Sequence, residues 1–140
     1  MLSTRTKYAV VTLLYFSEGL PFGLINNALS VYFRQKGISL EEIGLLSLLG
    51  LAWSFKILWA PLVDRFGPRY LWILPSQLFL VLFSAVLAIL DPASEKAWFW
   101  LALSGICLAS ATQDIAADAY TVDILEEKEL GPANGIRSAS

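Results

Sequence analysis

AWFWLALSGICLASATQDIAADAY, residues 97–120, is an apolar run whose charged members are Asp114 and Asp118 alone. It exceeds the ~20 residues that an α-helix needs to cross a ~30 Å hydrocarbon core. Insertion scales put the cost of an ionised aspartate at the centre of such a helix at about 2.5–3.5 kcal/mol, so carboxylates there face protein or water rather than lipid. At ~100° per residue the run has two faces. Ala102, Gly105, Ala109, Thr112, Ala116 and Ala119 form a stripe of small residues at spacings of three and four. Such stripes let helices approach closely in a bilayer. Asp114 and Asp118 share another face with Ala111 and Ser104, nearly opposite the stripe. One side of this helix is therefore expected to press on a neighbour and the other to present carboxylates to a polar cavity.

The bulk composition suits a membrane. Of 140 residues, 56% are hydrophobic and 16% charged, and the mean hydropathy is +0.61. A soluble domain carries roughly a quarter of its residues as charges. The net charge of −2 with no basic block argues against nucleic acid as a partner. With no histidine and one cysteine, a disulfide framework and a Cys/His zinc site are excluded, and no metal or cofactor is expected. Cys107, inside an apolar run, reads as packing. No nucleophile–base set is visible, so an enzyme is not expected.

Outward from residues 97–119, three further apolar stretches occupy about 8–32, 43–62 and 70–90. Their linkers, FRQKGISLEE, VDRFGPRY and DPASEKA, are short and polar, with turn chemistry at Gly37, Gly67, Pro68 and Pro92. The expected fold is all-α, a polytopic membrane helical bundle without a soluble domain. A fifth helix is expected to start near 132–140, with Pro132 in its first turn. A cleaved signal peptide is disfavoured, since the first run continues past Pro21 and contains Glu18. With the N-terminus in the cytoplasm, Arg5, Lys7, Arg65, Arg69, Lys128 and Arg137 lie inside, against Arg34, Lys36 and Lys96 outside; Lys56 falls within a span. Trp98 and Trp100 then sit at the outer interface.

Four ionisable groups fall within spans: Glu18, Lys56, Asp114 and Asp118. Counting ~1.5 Å per residue puts Glu18 ~15 Å deep, near the midplane. The same count puts Lys56 ~9 Å and Asp114 ~8 Å from the cytoplasmic edge, so a direct or water-mediated pair is expected. Asp118 is shallower and reads either as an interfacial charge or as part of the site. Tyr8, Thr12, Tyr15, Gly19 and Asn26 make a mildly polar stripe on the first span, with Glu18 at its flank. Tyr15, Asn26 and, from the fourth span, Gln113 are expected to line a cavity. EGLPFG, residues 18–23, predicts a kink or local unwinding near the midplane. The Lys56–Asp114 pair reads equally as a structural tie or as a group acting on substrate or proton.

SEGLPFGL (17–24), FKILWAPLVDRFG (55–67) and ATQDIAADAYTVDIL (111–125) resemble the AmpG-like branch of the major facilitator superfamily, which groups muropeptide permeases with acetyl-CoA transporters. The resemblance runs along essentially the whole chain. It implies a transporter of twelve or more helices in two pseudo-symmetric halves, working by alternating access and driven by protons. It also implies that the first and fourth helices line the cavity. Asp64, Arg65, Gly67 and Arg69 match the superfamily's gating loop between helices two and three; Ala60 and Pro68 depart from it, and Asp64 and Arg65 read equally as markers of the cytoplasmic edge. Four spans and a stub correspond to the N-terminal part of such a transporter, so the chain is expected to be a fragment. The resemblance points to proton-coupled uptake of cell-wall muropeptides across the bacterial inner membrane. Glu18, Asp114, Asp118 and Lys56 are then the candidates for proton or substrate work. The alternatives are an acetyl-CoA- or folate-type cargo, or a small membrane scaffold whose charges only hold helices together.

Overall fold

A computed structural model describes residues 3–139, the last of these by its backbone alone. The chain folds as a bundle of antiparallel helices, and three of them, Thr4–Gln35, Tyr70–Ile89 and Lys96–Ile124, are long and apolar enough to cross a membrane.

The first opens at Ser3, whose Oγ accepts from the Thr6 N–H and caps an otherwise unpaired donor. It comprises α1 (Thr4–Gly23), a π-helical segment (Leu24–Ala28) and α2 (Leu29–Gln35). Of the expected kink or local unwinding at residues 18–23, unwinding is absent there: α1 stays helical through Gly23, and the ladder loosens directly after it. Pro21 is accommodated within α1, the Leu24 N–H is shared between the Leu20 and Pro21 carbonyls, and the wide π turn follows. A missing proline donor is thus absorbed by a looser ladder rather than by a break. Gly37, at φ +72°, then reverses the chain.

The second apolar stretch is not a single helix over 43–62. It is broken into α3 (Leu40–Leu49), α4 (Leu51–Phe55), a 3₁₀ turn (Lys56–Leu58) and α5 (Ala60–Arg65). Pro61 accounts for the second break, since it removes the donor that would bond the Ile57 carbonyl one turn earlier; the separation of α3 from α4 lies at Gly50. The chain responds with tight i to i+3 bonds, from Trp59 N–H to Lys56 O at 3.2 Å and from Leu62 N–H to Trp59 O at 3.0 Å. Gly67, at φ +77°, turns into α6 (Tyr70–Ile89).

α7 (Lys96–Ile124) is the centre of the bundle, packed against α1, α4, α5 and α6. One end is an aromatic core in which Phe33 meets Phe99 at 5.5 Å and Trp100 at 6.1 Å between ring centroids. Cys107 is buried there as a free thiol. The other end packs Leu14, Val63, Ile73 and Ile115 around Ala116 and Ala117. Trp98 is exposed, as are Leu71, Leu74, Leu78 and Phe79 on α6.

The small stripe meets α6 at Gly105. A Cβ there would lie 2.7–2.9 Å from three carbons of the Phe83 ring, closer than such contacts occur. Gly105→Ala is therefore expected to cost about 1–3 kcal/mol by overpacking. The thermal unfolding midpoint in detergent should fall, and Phe83→Leu on the same chain should recover part of it.

α8 (Glu127–Ala139) begins five residues before the expected start, so Pro132 lies beyond the first turn. Glu129 sets that start: its Oε2 accepts the Glu126 N–H at 2.9 Å, one half of a capping box. The same oxygen pairs with the Lys7 ammonium at 2.9 Å and ties α8 to α1. Outside the three long spans, Glu129 has its carboxyl held down from 4.5 to about 2, by the Glu126 backbone N–H first and then by Lys7. A depressed carboxylate contributes stability above its unfolded value and loses it as pH falls through the folded one. The stability difference between the native chain and Glu129→Gln should therefore be constant above pH 4.5 and vanish as pH falls to about 2, measured by denaturant unfolding in micelles at stepped pH.

Candidate functional site

α1 buries Val11, Leu14, Tyr15, Glu18 and Pro21 on one face, so the helical period that packs the helix also carries a carboxylate inward. Glu18 is 8% exposed, and neither of its carboxylate oxygens has a hydrogen-bond partner among the described residues. It borders a cavity of about 470 Å³ with Tyr15, Gly19, Phe22, Gly23, Trp53, Asp114 and Arg137. Phe22 and Trp53 form an edge-to-face wall, with ring centroids 5.4 Å apart.

The charges beside this cavity form a connected network. Asp114 Oδ2 is paired with the Lys56 ammonium. Arg137 Nη2 lies 3.0 Å from Asp118 Oδ2 and 3.9 Å from Asp114 Oδ1. Tyr15 donates its phenolic proton to Asp118 Oδ1 at 3.0 Å, and the Arg137 guanidinium stands 5.6 Å from the centre of the Tyr15 ring. Local backbone explains each position. Lys56 opens the 3₁₀ turn imposed by Pro61 and so reaches α7 from the broken stretch. Asp114 and Asp118 stand one turn apart on α7, both within reach of α8.

Glu18, Asp114 and Tyr15 of the expected residues border the cavity, and Lys56 and Asp118 are joined to it through their ion pairs. Two expected lining residues do not. Gln113 is fully buried between α1 and α7, where its Nε2 donates to Ser17 Oγ at 2.9 Å. It sits one residue before Asp114, about 100° around the helix, which turns it into the packed interface. Asn26 is exposed in the π segment, and its amide bonds the Phe22 carbonyl of its own helix at 2.9 Å.

Arg137 and Trp53 were missed from sequence. Arg137, which the lysine and arginine tally sets among the cytoplasmic charges, lies within α8 and pairs with Asp118. Counted from Glu127, it stands ten residues into α8, ~15 Å along the axis and level with the aspartates.

At the far end of α5 the loop residues form a separate cluster. Arg69 lies 3.0 Å from Asp64 and 3.3 Å from Asp123 on α7, and also donates to the Val63 carbonyl. Arg65 is exposed, and Gly67 supplies the left-handed turn. Asp123, the tie from this loop to α7, was also unread in the sequence.

Comparison with known proteins gives three kinds of result. The family model described as Major Facilitator Superfamily matches residues 11–140. The chain is 35% identical over 137 residues to the anhydromuropeptide permease of Escherichia coli K12, covering 94% of this chain and 28% of that protein. It is 36% identical over 126 residues to an uncharacterized protein of Haemophilus influenzae, covering 86% and 30% respectively. A Rickettsia bellii sequence named AmpG 1 is 30% identical, covering 91% and 33%. The chain thus spans about a third or less of the length of these relatives. No solved structure matches it.

Proposed function

The chain belongs to the Major Facilitator Superfamily, and from that premise we propose that it works within a proton-coupled transporter that brings a muropeptide-like solute across the bacterial inner membrane. The observation that carries this reading is Glu18: a buried carboxylate without a hydrogen-bond partner among the described residues, bordering a cavity it shares with Asp114 and Arg137. A carboxylate that reaches water only through such a cavity can take up or release a proton there, and protonation removes the charge that low dielectric penalises. Proton binding at Glu18 then biases the bundle toward the state that is costly for the ionised form, and a solute in the same cavity moves with it. Asp114, Asp118, Lys56 and Arg137 hold the remaining charge in fixed pairs beside that switch.

In this reading the N-terminus and the Asp64–Arg69 loop are cytoplasmic. With Arg137 moved into the bundle, Arg5, Lys7, Arg65, Arg69 and Lys128 lie inside against Arg34, Lys36 and Lys96 outside. The broken stretch Leu40–Arg65 crosses as an interrupted helix; Lys56 in its irregular turn pairs with α7, while Ile57 and Leu58 are exposed. The Arg69–Asp123 tie holds the loop to the end of α7 and gives the gate one of its contacts.

The test is uptake of a labelled anhydromuropeptide by proteoliposomes containing the gene product that carries this chain. An inward proton gradient is expected to drive accumulation, and a protonophore to abolish it. Uptake indifferent to the gradient contradicts the proposal.

A further inference from the structure

On the side of α7 away from Glu18, a groove of about 620 Å³ runs between α6 and α7, from Phe66 and Leu71 beside the Gly67 turn to Phe83 and Gly105. The twelve residues from Leu71 to Phe83 cover ~18 Å along the helix axis, close to the ~15 Å of hydrocarbon in one leaflet. α4 and α5 lie against α7 and make little contact with α6, which leaves the slot open along its length. Two polar side chains of its wall are satisfied. Trp72 Nε1 donates to the Phe66 carbonyl and Thr112 Oγ1 to the Leu108 carbonyl, each at 2.8 Å. Ser76 is different: it is 6% exposed, lines the groove and has no hydrogen-bond partner among the described residues. Beside it, Pro75 lacks the N–H that would bond the Leu71 carbonyl one turn earlier. A buried hydroxyl in that state is unfavourable until a ligand completes it.

The mouth of the groove carries a charge. Arg65, next to Phe66, is exposed and pairs with no carboxylate among the described residues, whereas Arg69 is held between Asp64 and Asp123. Tyr70, exposed at the start of α6, suits the headgroup level. Ser76 stands ~9 Å further in, just past a headgroup region ~5–8 Å deep, where glycerol esters give way to acyl chain. We propose that the groove seats one acyl chain of an anionic glycerophospholipid from the cytoplasmic leaflet, with Ser76 donating to its ester carbonyl and Arg65 meeting its phosphate. A second helix is a poor fit: at ~10 Å diameter it would fill roughly 1,400 Å³ over the same length, more than twice the groove. An extended acyl chain is narrow enough to lie in the slot. The choice of leaflet rests on the orientation given above; the site does not depend on transport.

The experiment uses the gene product that carries this chain, in phosphatidylcholine nanodiscs holding a small fraction of phosphatidylglycerol with a photoactivatable diazirine at the end of one acyl chain. Cross-links are mapped by peptide mass spectrometry. Label is expected on α6 and α7 around Phe83 and Gly105, and unlabelled phosphatidylglycerol should displace it about fivefold better than phosphatidylcholine, as one arginine near an anionic headgroup implies. Arg65→Gln should remove that preference while keeping the label, and Leu108→Trp, which fills the groove from an exposed position, should remove the label. Label that survives Leu108→Trp marks lipid at the surface only and overturns the site. A groove that takes no label in the native product is covered by another segment and overturns it equally. Displacement by both lipids to the same extent overturns the Arg65 contact. None of these results bears on gradient-driven uptake, which tests the transport reading separately.

Discussion

Glu18→Gln is expected to lower gradient-driven uptake about a hundredfold while leaving insertion and exchange of solute across the membrane within a few-fold of native. Glutamine keeps the volume and hydrogen-bonding capacity of the side chain and removes its titration. One proton moving down a gradient of about two pH units is worth about 2.7 kcal/mol, which corresponds to about a hundredfold in accumulation. The native carrier draws on that gradient by binding a proton at Glu18, and glutamine binds none. The variant resembles a permanently protonated carrier: it can shuttle solute both ways, but a gradient no longer pulls it. The measurement is paired, with uptake under a pH gradient set against counterflow at equal pH. Loss of both activities together would mark Glu18 as a binding or packing residue; retention of both would remove it from the mechanism.

The second large effect is on stability. Lys56→Met should destabilise the chain by about 3–5 kcal/mol, because it leaves Asp114 charged in a mostly buried position. Arg137, at 3.9 Å, is too far and too engaged with Asp118 to replace the lost ammonium. Adding Asp114→Asn removes the orphaned charge, and the double variant should return to within about 1–2 kcal/mol of native, since buried ion pairs are near neutral against uncharged partners of similar shape. The thermal unfolding midpoint of the four chains completes the cycle. If Lys56→Met alone is harmless, the pair does not hold the broken stretch against α7.

How far the sequence reached depends on the kind of signal each element carries. Hydrophobic length and polar linkers place the long helices and the turns at Gly37 and Gly67, because these obey local rules. Depth counting brought Lys56 and Asp114 to the same level, and they do meet. Arg137, placed by the lysine and arginine tally among the cytoplasmic charges, stands within α8 instead, because Glu129 accepts the Glu126 N–H and starts that helix at Glu127. Pro21 and Pro61 show the limit of reading proline alone. The first is absorbed by a π turn; the second breaks its helix, with α7 close enough for Lys56 to bond across. Gln113 and Asn26 were assigned to the cavity from polarity, yet each found its partner elsewhere, Gln113 on Ser17 and Asn26 on Phe22. The resemblance supplied the family but no geometry for the charged network, which depends on contacts between residues more than a hundred positions apart, such as Tyr15 with Asp118.

The central claim is that Glu18 borders water inside the bilayer. It is tested most directly by thiol reactivity in a Cys107→Ser background, with single cysteines at Glu18, Gly19 and, as the control on the exposed apolar face of α6, Phe79. A charged, membrane-impermeant thiol reagent should modify Glu18→Cys and Gly19→Cys at least about tenfold faster than Phe79→Cys, because only a hydrated thiol forms the reactive thiolate. Three thiols equally inert to that reagent would mean that the cavity is sealed and dry, and the account would fail.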